Sequence, residues 1–373
     1  MIIKNGYVFT EDGTFEQKDL YIQDGRLAVS EDEVTDRKMI DAKGCKILPG
    51  LVDVHSHGAD GCDFGDADKS HLEKILRYEG MHGITSYCPT SMTVSKEELL
   101  QIFPTVLQAE RSQKMAKIAG IHMEGPFVSP AKKGAQNEKH IKRASVEFFE
   151  ECNRAAGGRI KVITLAPEED GAMDFIRAMH DKVNISLGHT CADYETAKAA
   201  FAAGANHVTH LFNAMNPIGH RAPGLIGAAA EDDNCMVEII SDGMHVHPAV
   251  VQMMFRAIGP DRMVLISDSL SATGLEDGMY ELGGQPVIVK NKKATLEDGT
   301  IAGSTTNLYD CMCRAMSFGV PEAHAIFAAT RNPAKSIGIY DEVGSLVPGK
   351  RADLLITDEE YHLKNVCIDG RFV

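Results

Sequence analysis

Residues 49–57 read Pro-Gly-Leu-Val-Asp-Val-His-Ser-His. Leu51–Val54 is a short apolar run entered through a Pro-Gly break, and it reads as a buried strand. It runs directly into His55 and His57. Side chains two apart on a strand share a side, so both imidazoles can enter one space at the strand's end. A buried strand that delivers polar groups at its C-terminal end is the working unit of a (β/α)8 barrel.

Working outward, the same unit recurs. Further apolar runs lie near Ile84–Cys88, Lys117–Met123, Ile160–Leu165, Val183–Leu187, Ala205–Thr209, Met236–Ile240 and Met263–Ile266. The segments between them can carry helices. Ser95-Lys96-Glu97-Glu98 is a capping box that opens one, and Asp193–Ala203 is a run of good helix formers stopped by Gly204. Buried strands alternating with helices predict an α/β fold, a (β/α)8 TIM-type barrel. An open doubly wound sheet is the rival, but no glycine-rich dinucleotide fingerprint follows any strand. After the eighth strand, QPVIVK (285–290) and KATLED (293–298), joined through Lys290-Asn291-Lys292, predict an inserted hairpin. Helices are predicted near Thr305–Phe318 and Pro321–Ala329.

The two ends of the chain have another texture. Short alternating runs are broken at Asp12-Gly13, at Asp24-Gly25 and again at Asp369-Gly370, which are hairpin signals. They predict a small β-sandwich domain built from residues 1–49 plus 343–373, with a catalytic barrel from 50 to 342.

Of the 373 residues, 44% are hydrophobic and 24% charged, with a formal net charge of −15. That charge argues against nucleic acid or an anionic membrane as partner, since either needs a basic surface. No run approaches the roughly 18 apolar residues of a spanning helix, and the first residues carry no secretory signal. The nine cysteines are scattered and form no CxxC. Reduced thiols in a cytoplasmic protein are the expectation.

Most of the predicted strands end in a histidine or an acid. His55 and His57 follow the first, Glu124 ends the third, His189 the fifth, His210 the sixth and Asp268 the eighth. One such residue is usually a hydrogen-bonded structural group. Six converging on a barrel mouth are a potential ligand set for zinc, iron, manganese or cobalt, one ion or two. Glu124 is placed to bridge two ions, and a bound ion would activate water. Asp268 has a second role available, taking a proton from that water and passing it to a leaving nitrogen. His207 and His210 lie three apart, so strand alternation sends only one of them into the barrel and His207 against a helix. The pair His245-Val246-His247 is not assigned to metal.

At these residues the chain resembles a known family. Pro49-Gly50-Leu51-Val52-Asp53-x-His55-x-His57 and the ending Gly344-Ser345-Leu346-Val347-Pro348-Gly349-Lys350-Arg351-Ala352-Asp353 are similar to the amidohydrolase superfamily. HMEGPF (122–127), SLGHT (186–190), HLFNAMNP (210–217), APGLIG (222–227), DGMHV (242–246) and SDSLSATG (267–274) resemble its N-acetylglucosamine-6-phosphate deacetylase family, over essentially the whole chain. The resemblance implies metal-dependent hydrolysis of the acetamide of an amino-sugar phosphate. It implies Glu124, His189 and His210 as metal ligands and Asp268 as the catalytic acid and base. Asn213, Ala214, Arg221 and His245 are implied as substrate contacts, with His220 and Arg221 candidates for crossing to the neighbouring subunit of a homodimer. Gln136 stands where some members place a histidine that polarises the amide carbonyl, and it can donate a hydrogen bond but carries no charge. Some members lack the paired histidines and work with one metal, whereas His55 and His57 leave room for two here. The rival functions are another amidohydrolase, acting on a different N-acyl or cyclic amide, and a non-catalytic scaffold on the same fold.

Overall fold

The computed structural model describes residues 1–109 and 115–373. Eight parallel strands follow one another in chain order. They are Leu51–Ser56, Ile84–Ser91, Ile121–Glu124, Ile160–Leu165, Asn184–Leu187, His207–Val208, Met236–Ile239 and Met263–Leu265. A helix lies in each of the seven crossovers, from Lys69–Met81 in the first to Pro248–Ile258 in the last. Leu308–Ser317, Glu322–Ala329 and Arg331–Ser336 follow the eighth strand. Among the described residues, backbone hydrogen bonds join the eighth strand to the first only at the mouth. Asp268 N–H donates to the His55 carbonyl at 2.9 Å and His57 N–H to the Ser269 carbonyl at 2.8 Å.

Alternation along each strand sorts the core. Val52, Val54, Cys88, Val162, Ile240, Val264 and Ile266 fill the barrel, with Ala334, Ile337 and Val343 packed on the same cluster. Leu51, Tyr87, Met123, Ile163, Leu187, Val208, Ile239 and Leu265 face the other way, against helix residues such as Ile75, Phe149 and Phe175. The first strand slips in its pairing between Asp53 and Ser56. Val52 faces the interior before that slip, Val54 and His55 both do so within it, and His57 does so after it.

Gly188 ends the fifth strand for a steric reason. A Cβ there would lie 2.7 Å from the Thr209 Cβ and 3.0 Å from the Thr164 Cγ2. The backbone can bring His189 over those hydroxyls only as glycine.

The chain ends meet in one sheet of eight strands, order Arg371–Phe372, Leu363–Ile368, Leu354–Thr357, Lys46–Pro49, Ile2–Phe9, Phe15–Gln23 and Arg26–Ala28, with Met39–Asp41 also on Ile2–Phe9. The joint is antiparallel, Leu354 opposite Pro49 and Thr357 opposite Lys46. Ile3, Val8, Leu20, Ile47, Leu354 and Ile356 give this sheet a core of its own. Asp24 and Gly25 turn at φ 50° and 78°, the left-handed pair a two-residue hairpin demands.

The inserted hairpin is present, with Asn291 and Lys292 at φ 54° and 61°, and it gains a strand. Gly278–Leu282 pairs with Gln285–Lys290, which pairs with Lys293–Thr295.

The capping box is made as the sequence implies. Ser95 Oγ accepts from Glu98 N at 3.2 Å and Glu98 Oε2 accepts from Ser95 N at 2.8 Å. We expect Ser95→Ala to lower unfolding free energy by about 1 kcal/mol. Urea denaturation reads it, and an unchanged midpoint would refute the contribution.

Candidate metal and catalytic site

Three of the candidate ligands leave their strands through a turned backbone. His189, His210 and Asp268 have φ of 50°, 27° and 50°, a region non-glycine residues seldom occupy. That turn carries each side chain over the barrel mouth. All six candidates are buried, none more than 7% exposed.

Their ligand atoms converge. Glu124 Oε1 lies 3.1 Å from His189 Nε2, 3.0 Å from His210 Nε2 and 3.4 Å from His55 Nε2. Glu124 Oε2 lies 3.4 Å from His57 Nε2. Asp268 Oδ1 lies 3.2 Å from His57 Nε2 and 3.7 Å from His55 Nε2. The groups Glu124–His189–His210 and His55–His57–Asp268 each bring three ligand atoms within 4.8 Å of one another, and Glu124 stands between them.

Three of the rings are turned so that Nε2 faces this centre. His57 Nδ1 donates to the Thr90 carbonyl at 3.1 Å, His189 Nδ1 to the Lys132 carbonyl at 2.9 Å, and His55 Nδ1 meets Glu238 Oε2 at 2.9 Å. An imidazole that donates through Nδ1 presents a lone pair at Nε2. The His189 and His210 Nε2 atoms are 3.1 Å apart, and His55 Nε2 is buried with no hydrogen-bond partner. Converging lone pairs and an orphaned buried nitrogen are what a divalent cation satisfies. The donor set fits one.

Charge follows the same pattern. With the imidazoles protonated in place of an ion, burial pushes the Glu124 carboxyl up, but the His55 charge and the contacts of His189 and His210 outweigh it and hold it well below the usual carboxylate range. Burial also raises Asp268, and the His57 hydrogen bond with the charges of His55, His57 and His210 brings it down to about 2. Both carboxylates are ionised near neutrality, as ligands and a proton acceptor must be.

Beneath the centre lies a layer of hydroxyls. His122 Nδ1 donates to the Val54 carbonyl at 3.1 Å and its Nε2 meets Thr164 Oγ1 at 2.7 Å. Thr164 Oγ1 meets Thr209 Oγ1 at 2.7 Å, which meets Ser186 Oγ at 2.6 Å. Both His122 nitrogens are engaged, so it is bracing and not a ligand.

A cavity of about 250 Å³ opens over these residues. Asn213, Ala214, His245 and Gln136 line it beside His57, Glu124, His189, His210 and Asp268. His245 is braced through Nδ1 by Asp242 Oδ2 at 2.7 Å. The Gln136 amide is already spent within the protein, since Oε1 accepts from Thr93 N at 2.6 Å and Nε2 donates to Glu124 Oε2 at 2.6 Å. It holds the Glu124 carboxylate. His220 and Arg221 are exposed, 2.6 Å apart at His220 Nε2 and Arg221 Nη1, and lie outside the residues lining the cavity.

One expectation changes. His207 does not pack against a helix. It faces the barrel, with Nδ1 2.8 Å from Asn184 Nδ2 and Nε2 3.5 Å from Glu238 Oε1, and Val208 takes the helix side. The strand ends at Val208, so alternation no longer governs His210, which enters through its positive φ. Two groups of residues were not anticipated. Glu238 sits mid-strand with neither ordinary flank, though an acid in step with inward Met236 and Ile240 was a usable signal. Leu282, Thr300 and Ile301 of the insertion also line the cavity, and only their position after strand eight hinted at it. His247, left unassigned, caps the helix Pro248–Ile258 by accepting from Ala249 N at 3.2 Å.

Comparison with known proteins points one way. Residues 47–373 match the model described as the amidohydrolase family. The chain is 39% identical over 366 residues to a Bacillus subtilis N-acetylglucosamine-6-phosphate deacetylase, covering 96% of this chain and 90% of that one. It is 32% identical to an N-acetylgalactosamine-6-phosphate deacetylase of Escherichia coli O157:H7, covering 99% and 98%. Among solved structures, a mutant N-acetyl-D-glucosamine-6-phosphate deacetylase of Mycobacterium smegmatis, in complex with N-acetyl-D-glucosamine-6-phosphate, superposes with a TM-score of 0.92 at 32% identity, covering 100% and 98%.

Proposed function

The chain belongs to the amidohydrolase family, and from that premise we propose that it hydrolyses the acetamide of N-acetyl-D-glucosamine 6-phosphate to D-glucosamine 6-phosphate and acetate. The observation that carries this reading is the convergence of Glu124, His189, His210 and Asp268 on one cavity.

Glu124, His189 and His210 would hold a divalent ion, and His55 and His57 with Glu124 and Asp268 a second. Zinc is the ion we propose first. When bound, the metal polarises the amide carbonyl and acidifies water. Asp268 accepts the proton of the attacking water and returns it to the amine nitrogen as the C–N bond breaks, so acetate and amine leave with the proton balanced. His245, braced by Asp242, donates from Nε2 to the oxygen on which negative charge grows. Gln136 acts on the substrate through Glu124, fixing its carboxylate.

Asn213 and the Ala214 N–H receive the sugar phosphate in this reading. Arg221 supplies a planar fork of donors to phosphate oxygens. Its place on an exposed loop beside His220 supports a role in trans, across a homodimer, for both residues. The catalytic unit is residues 50–342, and the chemistry is placed in the cytoplasm. Among the described residues no helix is long and apolar enough to cross a membrane.

The test is acetate release by metal-loaded protein from N-acetylglucosamine 6-phosphate, its galacto epimer and unphosphorylated N-acetylglucosamine. Release from the first and not the last supports the reading. A faster galacto epimer transfers it to that substrate, in line with the Escherichia coli relative. Release from none overturns it. Arg221→Ala is expected to raise KM for the phosphorylated sugar about tenfold or more, a charge-assisted bidentate contact being lost, with little change in kcat. An unchanged KM removes Arg221 from the phosphate site.

A further inference from the structure

Glu238 is a carboxylate sealed inside the barrel. It stands on the seventh strand, Met236–Ile239, and is fully buried. Its Oε2 lies 2.9 Å from His55 Nδ1 and accepts from His210 N–H at 3.1 Å. Oε1 has no hydrogen-bond partner and lies 3.5 Å from His207 Nε2. A carboxylate out of water is held only where partners compensate it, and His55 is the side chain closest to doing so. His122, in the same cluster, has both nitrogens bonded elsewhere. With His122 spent and His55 Nδ1 tied to Glu238 itself, the trio His55–His122–Glu238 does not offer the three free ligand atoms an ion of its own would need.

We infer that Glu238 is a positioning residue for the metal centre, keeping the His55 proton on Nδ1 so that Nε2 is the ligand atom. The inference rests on the metal-dependent reading above. Through its bond to His210 N–H, the same oxygen also ties the histidine of the first strand to that of the sixth. One buried group thus sets the spacing between the two halves of the ligand set. Outer partners of this kind typically change metal affinity 10- to 100-fold.

The experiment titrates the metal-free full chain with zinc against a competing chelator, and counts bound zinc per subunit. Glu238→Gln keeps the shape and an acceptor oxygen and removes the charge. The expected result is about 10- to 100-fold weaker zinc binding at one position, with the other unchanged. In a His55→Ala background the same substitution is expected to shift zinc affinity less than about twofold, because the group it acts through is gone. A purely structural role would lower stability equally in both backgrounds and leave that affinity difference at zero. If Glu238→Gln does not fold, Glu238→Asp keeps the charge but draws it back, and the same fold-change with the same background dependence is expected. Unchanged zinc affinity in a variant of a zinc-binding wild type overturns this inference alone. A wild-type chain that takes up no divalent ion overturns it together with the metal-dependent reading.

Discussion

Asp268→Asn is expected to lower kcat for acetate release by about 10³-fold, within the range general acid–base catalysis supplies, while bound metal stays near the wild-type level. Asparagine matches aspartate in size and keeps an oxygen for His57, 3.2 Å away in the native site. The turned backbone and the Asp268 N–H bond to the His55 carbonyl are untouched. What is lost is a group that can hold a proton between the attack of water and the departure of the amine. Acetate assays paired with metal analysis decide it. Near-normal turnover with metals retained would exclude Asp268 as the proton carrier.

The second large effect is expected from replacing His55 and His57 together by alanine. Bound metal should fall by one ion per subunit and turnover by at least about 10²-fold, comparable to losing one preorganised stabiliser of the oxyanion. The Gln136 amide is committed to Thr93 and Glu124, so it has little to offer a carbonyl, and an ion held by His55 and His57 would supply that polarisation instead. The double variant also strands Glu238 in the barrel without its imidazole. Breaking a buried pair from one side costs about 3–5 kcal/mol, so a lowered Tm is expected too and the assay belongs well below it. Wild-type turnover at verified lower occupancy would show that the second ion is dispensable.

The barrel was legible because buried parallel strands are short apolar runs separated by helix-forming segments. Eight of them stand in the sequence within a few residues of where they form. The convergence of the candidate ligands was legible because strand ends are where a barrel puts its chemistry. Parity failed where regular structure stopped. His207 and His210 were judged by a rule that holds only inside a strand, and the strand is two residues long. Glu238 escaped because one acid in an apolar run gives no spacing pattern, and its partners come from strands one and six. Gln136 was visible as a polar residue in a loop, but the direction of its amide depends on Thr93 and Glu124, which only the folded chain brings together. Gly278–Leu282 was missed because its edge pairing is made by an insertion whose composition resembles a loop.

The sheet that unites the chain ends sets an order of events during synthesis. Lys46–Pro49 leaves the ribosome early, yet its partner Leu354–Thr357 follows some three hundred residues later. At about 5–20 residues per second the interval is roughly 15–60 s. Through that time the strand presents a row of unpaired amides and carbonyls, a template for foreign strands. The barrel can be assembling meanwhile, so the small sheet is completed after the barrel strands have been made. Until Leu354–Thr357 arrives, the open edge of Lys46–Pro49 is a place where the nascent chain is exposed to misassociation.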